Sequence, residues 1–256
     1  MKKLLLIIAL VIGGYFIWKS PKPATAPVQE STTQAEMTTS ISGATKNDAG
    51  DFVYKNEGEY ATVEIEYPAS GNVKAQTVME NWIKERITYF SPSNTDMFDT
   101  REMTRLKADG RKYAMDIEYK KYSGENSVSY VYQMYEDTGG AHPNTYYRTF
   151  TFDASGNTIE LAGLFKTDAR YLDRLSKISY DYLVKDLAKR FNAPLDDGQL
   201  DMVRMGTSPT PETLQFFYVD GTNLVLIFPP YQVAAYAAGV STVAIPMDSL
   251  SDILLN

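Results

Sequence analysis

Two consecutive stretches of alternating side chains constrain the fold of this chain more than any other feature of its sequence. The first is KYAMDIEYKKY, residues 112–122, and the second is SVSYVYQM, residues 127–134. Alternation with a period of two places the apolar side chains of a strand on one face. That face carries Tyr113, Met115, Ile117 and Tyr119, then Val128, Tyr130, Tyr132 and Met134, opposite Lys112, Asp116, Glu118 and Lys120. Because Ser123-Gly124-Glu125-Asn126 is a turn sequence, the two stretches are predicted to form an antiparallel hairpin.

Further strands and a helix are indicated on either side of the hairpin. EYATVEIEYP alternates up to Pro68, which predicts a half-buried strand carrying Val63, Ile65 and Tyr67 on one face. Asn72 can then cap a helix whose apolar side chains recur at helical spacing, namely Val78, Met79, Trp82, Ile83 and Ile87. After the hairpin, a loop over residues 139–144 leads into a strand through Phe150 and Phe152 and a turn over residues 155–157.

The C-terminal part of the chain combines a long helix with short strands. Asp168 is a candidate cap for a helix with an apolar stripe of Leu172, Leu175, Ile178, Tyr182, Leu183, Leu187 and Phe191. LDDGQLDMVRMG predicts a short helix or a loop, and LQFFYVDGTNLVLIF predicts two strands joined at Asp220-Gly221. A short strand over Val243–Ile245 and a helical turn follow. Strand groups interrupted by helices predict an α+β fold with mainly antiparallel sheets and flanking helices.

The amino terminus, MKKLLLIIALVIGGYFIWKS, begins with two lysines and continues without charge from Leu4 to Trp18. At ~1.5 Å per residue this run spans roughly 22 Å as a helix, short of the ~30 Å hydrocarbon core, so it fits a secretory signal as well as an anchor. The best cleavage site, over residues 24–26, is followed by the unfavourable Pro27. Residues 1–19 are therefore predicted to be an uncleaved transmembrane signal-anchor, with the folded part extracytoplasmic; secretion after cleavage is the alternative.

Residues 20–50 are rich in Pro, Thr, Ser, Ala and Gln and show no apolar periodicity. A segment of this composition buries too little apolar surface to offset the entropy of ordering it. The sequence therefore predicts a flexible, disordered linker between the membrane segment and the folded part.

Charge and the absence of cysteine exclude several classes of function. The net charge is −7, and residues 1–20 carry three lysines and no acid, which leaves −10 on the rest of the chain. Such a body repels nucleic acid and attracts basic partners. Disulfides, thiol catalysis, zinc–thiolate sites and the lipid-modified cysteine of a lipoprotein are excluded because the chain has no cysteine.

His142 is the only histidine in the chain. A catalytic zinc site usually takes three protein ligands and favours histidine or cysteine, so no metal and no cofactor are predicted. A Ser-His-Asp triad stays formally open, but the chain has no Gly-x-Ser-x-Gly motif. Gly139 and Gly140 supply unusual backbone angles, and Pro143 favours an extended His142. His142 is therefore interpreted as a binding-loop or structural residue, and no catalytic residue is assigned.

Two acidic clusters, Glu136 with Asp137 and Asp196 with Asp197 and Asp201, are the visible candidates for carboxylate chemistry. Glycoside hydrolysis needs two acids roughly 5–10 Å apart across the sugar. Neighbouring acids more often form a solvated surface, and the Asp cluster lacks the order of residues of an EF-hand calcium loop. A cell-envelope glycan hydrolase using a carboxylate pair is therefore the alternative function.

Tyrosines give a more informative signal. The chain contains 19 of them, and Tyr146, Tyr147, Tyr231 and Tyr236 lie near loops with glycine or proline. Tyrosine combines a broad apolar face with a polar tip, which suits protein interfaces and stacking on sugars. Packing in the core is the alternative for any one of them.

A family resemblance becomes specific at TGGAHPNT, at FTFDASGNTIELAGLF and at PYQVAAYAAGVSTVAIP. These segments resemble an extracytoplasmic domain of unknown function found in RsiV-type anti-sigma factors and PdaC-type peptidoglycan deacetylases. YATVEIEYPASGNVKAQTVMENWIKERI resembles the smaller module that accompanies it. The resemblance implies two packed α+β subdomains outside the membrane, a PdaC-like module over residues 51–122 and an RsiV-like domain over residues 123–256. In RsiV-like members this region is a receptor for lysozyme.

The effector parts of those families are not recognisable here. Only Met1–Lys3 precede the apolar segment, so no sigma-binding domain is expected, and no deacetylase domain is expected after the shared region. Neither anti-sigma nor deacetylase activity is therefore carried over.

Together these observations predict a non-catalytic, single-pass membrane protein whose extracytoplasmic module recognises a lysozyme-like protein or a cell-wall glycan. Residues 4–18 would contact the membrane, and no nucleic acid is expected as a partner. A purely structural module without a small ligand is a further alternative. The candidate binding residues are Gly139, Gly140, Ala141, His142, Asn144, Tyr231 and Tyr236.

Overall fold

The computed structural model describes residues 39–91 and 99–255. Nine β-strands and four α-helices lie within these ranges, arranged around two hydrophobic cores with one sheet each. The described chain therefore has the predicted α+β fold. The predicted membrane anchor over residues 1–19 and residues 20–38 of the predicted linker lie outside the described residues.

Six strands form the first sheet in sequence order: β1 (Thr45–Lys46), β2 (Phe52–Glu57), β3 (Ala61–Tyr67), β4 (Tyr113–Ser123), β5 (Ser127–Asp137) and β6 (Asn144–Asp153). Neighbouring strands are antiparallel except for β3 and β4, which are parallel. A parallel pair needs a long crossover, and this one contains α1 (Val73–Tyr89) and α2 (Thr100–Asp109). The sheet is therefore mixed, with antiparallel pairs in the majority.

The predicted hairpin is confirmed by β4 and β5. Tyr119 lies opposite Tyr132, and Ser123 lies opposite Val128. Tyr132 is fully buried, and its ring meets Trp82 of α1 at a centroid distance of 5.1 Å. The alternation thus predicted the face of the hairpin that packs against α1, whereas Ser129 and Val131 on the opposite face of β5 are buried as well.

Helix α1 covers that face and begins where the sequence predicts. The side chain of Asn72 accepts hydrogen bonds from the backbone amides of Lys74 and Ala75, which satisfies donors that the first helical turn leaves unpaired. Met79 and Ile83 are buried against the sheet. Val78, which the helical spacing placed on the apolar face, is exposed instead because it lies beside that stripe.

The second core is formed by helices α3 (Tyr171–Phe191) and α4 (Asp197–Gly206) against a three-stranded antiparallel sheet of β7 (Phe217–Asp220), β8 (Asn223–Phe228) and β9 (Ser241–Pro246). The Asp220-Gly221 hairpin turn and the strand over Val243–Ile245 are confirmed. The uncertain LDDGQLDMVRMG segment forms α4.

Two predictions about α3 were wrong. Arg170 occupies the cap position and makes no side-chain capping bond, and Asp168 lies in the preceding turn. The buried stripe is Leu175, Ser179, Leu183 and Leu187, which repeat every four residues. Tyr182 falls beside this stripe and is exposed, because a helix buries only one side against a single sheet. Phe191 continues the four-residue repeat but is the last residue of the helix, where it is exposed.

The two sheets meet where β7 crosses the first sheet. The backbone N–H of Val219 donates to the hydroxyl of buried Ser129 at 3.0 Å, and that hydroxyl is 2.9 Å from the hydroxyl of Thr151. Near the β4–β5 turn, the N–H of Gly221 donates to the carbonyl of Ser123 at 2.9 Å. Backbone groups of the second sheet thus bond directly to the first.

The two hydrophobic cores divide the described chain at a different place from the predicted domain limits. A boundary between residues 122 and 123 passes through the β4–β5 hairpin, whereas the first core extends to Phe152 and the second begins at Leu161. Within the predicted linker, residues 39–50 contact the first core: Ile41 is buried, β1 pairs with β2, and the hydroxyl of Thr39 lies 2.6 Å from that of Tyr67. Composition missed this because a single apolar residue, Ile41, anchors the segment.

No helix within residues 39–91 and 99–255 combines the length and apolarity that crossing a bilayer requires. The predicted membrane contact over residues 4–18 falls on residues that are not described.

Candidate functional site

The structure brings together three of the predicted binding residues from distant parts of the chain. The imidazole of His142 stacks on the ring of Tyr236 with a centroid distance of 4.0 Å and an angle of 17° between the planes. The ring of Tyr231 lies 5.4 Å from that of Tyr236 and 6.0 Å from the imidazole. We refer to His142, Tyr231 and Tyr236 as the aromatic site.

Hydrogen bonds fix the orientation of the imidazole in the aromatic site. Nδ1 of His142 is 2.9 Å from the carbonyl oxygen of Pro143, and Nε2 is 2.8 Å from the hydroxyl of Tyr231. Because a carbonyl oxygen only accepts, Nδ1 carries the proton, and in the neutral ring Nε2 accepts from Tyr231. The hydroxyl of Tyr236 also donates to the carbonyl of Pro143, at 2.9 Å.

The loop between β5 and β6 presents His142, and Gly139 shapes this loop. Gly139 has a φ of +73°, and its N–H donates to the carboxylate of Asp137 at 2.8 Å. A β-carbon on Gly139 would lie 2.9 Å from the guanidinium of Arg105 and 3.3 Å from the ring of Tyr113. Gly139 therefore has a conformational and packing role at α2 and β4 rather than a contact with the aromatic site.

The remaining predicted residues of the loop lie around the aromatic site. Gly140 and Ala141 are exposed next to His142. Asn144 begins β6 opposite Glu136 and lines a cavity that Tyr231 and Tyr236 also line. The predicted set thus divides into an aromatic centre, an adjacent polar side chain in Asn144, and glycine and alanine positions that shape the loop.

Tyr231 has an unusual backbone conformation, with a φ of +70°. This left-handed region costs a side-chain-bearing residue roughly 1–2 kcal/mol. Tyr231 follows Pro229 and Pro230 and is 53% exposed, so burial of its ring does not explain the strain. An exposed aromatic ring held in a strained conformation is a common mark of a binding residue.

The cavity beside the aromatic site has a volume of about 190 Å³ and mostly aromatic walls. Tyr146, Tyr147 and Phe216 line it together with Tyr231 and Tyr236. Burial raises the pKa of Tyr146 and of Tyr147, so both phenols stay protonated near neutral pH and remain hydrogen-bond donors. The cavity offers flat apolar surfaces with hydroxyl groups at their edges.

The predicted acidic clusters have structural contacts. Glu136 and Asp137 are adjacent on β5, so their side chains leave opposite faces of the sheet. Burial raises the pKa of Glu136, and the charge of Arg86 opposes this change. Asp137 lies 3.5 Å from Arg111.

The Asp cluster of the C-terminal part stabilises helix α4. Asp196 caps α4 in a reciprocal arrangement with Gln199, Asp197 lies in the first turn, and Asp201 forms an ion pair with Arg204.

A groove on the outer face of the first sheet is the main feature that sequence reasoning missed. It has a volume of about 560 Å³ and is lined by Glu64, Glu66, Asp116 and Glu118, with Gln133 and Tyr135. Burial, followed by the charges of Glu64 and Glu118, raises the pKa of Asp116. The alternation predicted that Asp116 and Glu118 face outward, but only the parallel register of β3 and β4 places Glu64 opposite Asp116.

Within the described part of the chain, no three or more histidine, aspartate or glutamate side chains are arranged to hold a metal ion.

Comparison with known proteins identifies the second core. Residues 162–248 match the family described as "Protein of unknown function (DUF3298)". This match coincides with the core that extends from Leu161 to Leu250. The predicted resemblance to this domain family is confirmed.

One curated relative covers both cores. Over 201 residues, 78% of this chain, the sequence is 28% identical to the peptidoglycan-N-acetylmuramic acid deacetylase PdaC of Bacillus subtilis (strain 168). The chain spans 40% of the length of that relative.

Solved structures show the same fold. A DUF3298 family member from Bacteroides fragilis NCTC 9343 matches with a TM-score of 0.56 at 17% identity, covering 80% of this chain and 92% of the other. A DUF3298 family protein from Pseudomonas aeruginosa PAO1 matches with a TM-score of 0.52 at 14% identity, covering 80% and 93%. Each similarity covers 80% of this chain, which is far more than the second core alone. The similarity therefore extends over both sheets.

Proposed function

We propose that this chain is an extracytoplasmic recognition module that binds cell-wall glycan at the aromatic site. The observation that carries the proposal is the strained and exposed Tyr231, which is held by a hydrogen bond to His142 and by ring contact with Tyr236. Strain of this kind persists only where the surrounding structure enforces it, and it is concentrated at binding and active sites.

The chemistry of the aromatic site suits a sugar ring. A pyranose presents C–H groups on its faces and hydroxyl groups around its edge, so it stacks on tyrosine rings and exchanges hydrogen bonds with polar groups beside them. The site provides the exposed face of Tyr231, the phenol hydroxyls of the adjoining cavity and the side chain of Asn144.

The relative PdaC supports a peptidoglycan ligand. Its name assigns it to the N-acetylmuramic acid of peptidoglycan, and its similarity extends over 78% of this chain. Peptidoglycan lies outside the cytoplasmic membrane, which agrees with a signal-anchor over residues 1–19 and attachment to the cell membrane through residues 4–18. In this proposal the module recognises the wall polymer and brings no catalytic group of its own.

The test is a calorimetric titration of the full-length chain with soluble peptidoglycan fragments. Tyr231→Ala should weaken binding about tenfold or more because it removes the stacking surface and the partner of His142. Tyr182→Ala, which removes a 47% exposed tyrosine from α3, is the matched control and should leave binding unchanged. Absence of fragment binding to the unaltered chain would contradict the proposal.

A lysozyme-like protein is the other ligand that the family resemblance suggests. The groove lined by Glu64, Glu66, Asp116 and Glu118 is acidic, and a cationic protein would complement it. In the same calorimeter, binding of lysozyme without binding of fragments would favour this receptor function. That binding should weaken as salt concentration rises.

Glycan hydrolysis is a second candidate function, and one specific observation favours it. Glu64 and Asp116 are direct neighbours on adjacent parallel strands, so both carboxyl groups leave the same face of the sheet and form a carboxylate pair. Burial and the neighbouring acids raise the pKa of Asp116, which suits the general acid of such a pair. Release of reducing ends from peptidoglycan by the purified chain, abolished by Asp116→Asn, would establish hydrolysis; no release by the unaltered chain excludes it.

A further inference from the structure

We propose that a second cavity, where the two sheets meet, is a further sugar subsite, so that the glycan bound at the aromatic site is a linear chain of several sugars. This cavity has a volume of about 170 Å³, and Tyr122, Tyr147 and Tyr218 line it together with Gln133 and Thr242. The inference rests on the proposed function, because it assigns the length and path of the same ligand.

Aromatic rings and polar groups are combined in this second cavity. The rings of Tyr122 and Tyr218 lie 4.2 Å apart at an angle of 32°. The hydroxyl of Tyr147 donates to the side-chain carbonyl of Gln133 at 3.3 Å. The walls thus offer flat faces for stacking, and Gln133 and Thr242 are exposed, so they are available to hydroxyl groups of a ligand.

The phenol of Tyr218 remains a hydrogen-bond donor over the whole physiological pH range. Burial, followed by the proximity of Tyr122, raises its pKa well above the ordinary value for tyrosine. The cavity therefore has mainly neutral donors and acceptors, and the charged side chains that line it are Glu118 and Lys120.

Strands from both sheets build this cavity, which makes it a fixed feature of the fold. Tyr122, Gln133 and Tyr147 project from β4, β5 and β6, while Tyr218 and Thr242 project from β7 and β9. Hydrogen bonds between the sheets, such as the one from Val219 to Ser129, hold the two walls in register. Binding groups on paired strands are held more rigidly than groups on loops.

Tyr147 lines both this cavity and the cavity of the aromatic site. The two cavities therefore adjoin at this side chain. Their volumes, about 170 and 190 Å³, are each below the roughly 300–1,000 Å³ of a pocket for a drug-sized ligand. Each suits a single ring, and two adjoining single-ring cavities suit successive parts of a linear glycan.

The test compares N-acetylglucosamine with a peptidoglycan tetrasaccharide, using the full-length chain labelled for NMR. His142 is the only histidine, so its imidazole signals report on the aromatic site without overlap from another histidine. In the unaltered chain both sugars should shift these signals, and the tetrasaccharide should bind about tenfold more tightly or better because it reaches both cavities.

Tyr218→Ala should remove the advantage of the tetrasaccharide while leaving the affinity for N-acetylglucosamine within about twofold. Tyr218→Phe should preserve the advantage because it keeps the ring. Gln133→Ala, at an exposed position, should reduce the affinity advantage of the tetrasaccharide without affecting folding. It provides the test if Tyr218→Ala is unstable.

The outcomes separate the two proposals. A tetrasaccharide advantage that is absent in the unaltered chain, or that survives both Tyr218→Ala and Gln133→Ala, overturns the second subsite and leaves the aromatic site intact. If neither sugar shifts the His142 signals of the unaltered chain, the proposed function is overturned, and the second subsite with it.

Discussion

Gly206 lies so close to the backbone of Gln232 that a β-carbon on Gly206 would overlap the carbonyl of Gln232. The side-chain amide of Gln232 in turn donates to the carbonyl oxygens of Gly206 at 2.9 Å and Thr213 at 2.8 Å. Because Tyr231 precedes Gln232, these contacts connect the end of α4 with the most exposed ring of the aromatic site. The position of that ring thus depends on a glycine 25 residues away in sequence.

Gly206→Ala should destabilise the chain by about 1–3 kcal/mol, because the added methyl group must displace a packed backbone segment. The free energy of unfolding from urea denaturation measures this loss. Gly163→Ala is the matched control, since a β-carbon at Gly163 meets no atom within 4 Å. Equal unfolding free energies of the two variants would show that the segment around Gln232 moves aside without loss of stability.

The strain at Tyr231 predicts an unusual order of stability for two substitutions. Tyr231→Gly should be more stable than Tyr231→Ala by about 1 kcal/mol, because glycine adopts a φ of +70° without the steric cost that alanine retains. Both variants lose the hydrogen bond to His142 equally, so the difference between their unfolding free energies reports the backbone strain alone. Chemical denaturation of the pair provides the measurement.

Tyr236 provides the control for this order. It begins a short 3-10 helix and is not among the residues with positive φ. Here Tyr236→Gly should be less stable than Tyr236→Ala by roughly 0.5–1 kcal/mol, the usual cost of glycine in a helical conformation. If the glycine variant were less stable than the alanine variant at both positions, Tyr231 would not be strained in solution.

Ser129 provides a prediction for the junction of the sheets. Ser129→Ala should cost about 1–3 kcal/mol of unfolding free energy, because the buried N–H of Val219 would lose its acceptor. Ser155→Ala, at an exposed turn position, removes a hydroxyl without a buried partner and should change stability little. A loss at Ser129 no larger than at Ser155 would indicate that the junction rearranges or admits water.

Local patterns predicted much of the fold. The β4–β5 hairpin, the Asn72 cap and the Asp220-Gly221 turn each depend on residues close together in sequence, and each is confirmed. No comparable pattern marks α2 or β2, because Leu106 is the only buried residue of α2 and Phe52 the only one of β2. An amphipathic pattern cannot be recognised from a single buried side chain.

Contacts between residues far apart in sequence could not be predicted for a different reason. The loop of His142 and the prolines before Tyr231 marked both as candidates, but their hydrogen bond joins residues 89 positions apart. The acidic groove likewise exists because Glu64 and Asp116 pair across a parallel crossover. Periodicity gives the face of a residue within its element, whereas register between distant strands depends on the packing of the whole core.

The segment around Ser40 should detach from helix α1 in acid, because Ser40 donates to Glu80 of that helix. Burial alone would raise the pKa of Glu80, but hydrogen bonds from Ser40 and Gln76 outweigh it and hold the pKa below the ordinary value of 4.5. A lowered pKa in the folded state adds stability above pH 4.5 that is lost as pH falls through the folded-state pKa.

Glu80→Gln should therefore reduce the loss of unfolding free energy between about pH 7 and pH 3, since an amide does not titrate in this range. The protection factor of the Ser40 amide, which donates to Glu80, should fall in acid in the unaltered chain once the slower intrinsic exchange at low pH is taken into account. Glu85→Gln, at an exposed position of the same helix, is the control and should keep the pH dependence of the unaltered chain. An unchanged pH profile in Glu80→Gln would contradict the linkage.

The aromatic site finally predicts which nitrogen of His142 carries the proton. In alkaline solution, where imidazoles are neutral, nitrogen-15 NMR should show a protonated Nδ1 bound to the carbonyl of Pro143 and an unprotonated Nε2 that accepts from Tyr231. Assignment is direct because the chain has one histidine. Tyr231→Phe removes the donor to Nε2 but not the bond of Nδ1, so the proton should stay on Nδ1 while the Nε2 signal shifts. A proton on Nε2 in the unaltered chain would mean that the imidazole does not contact Pro143, and the ring geometry of the aromatic site would then be wrong.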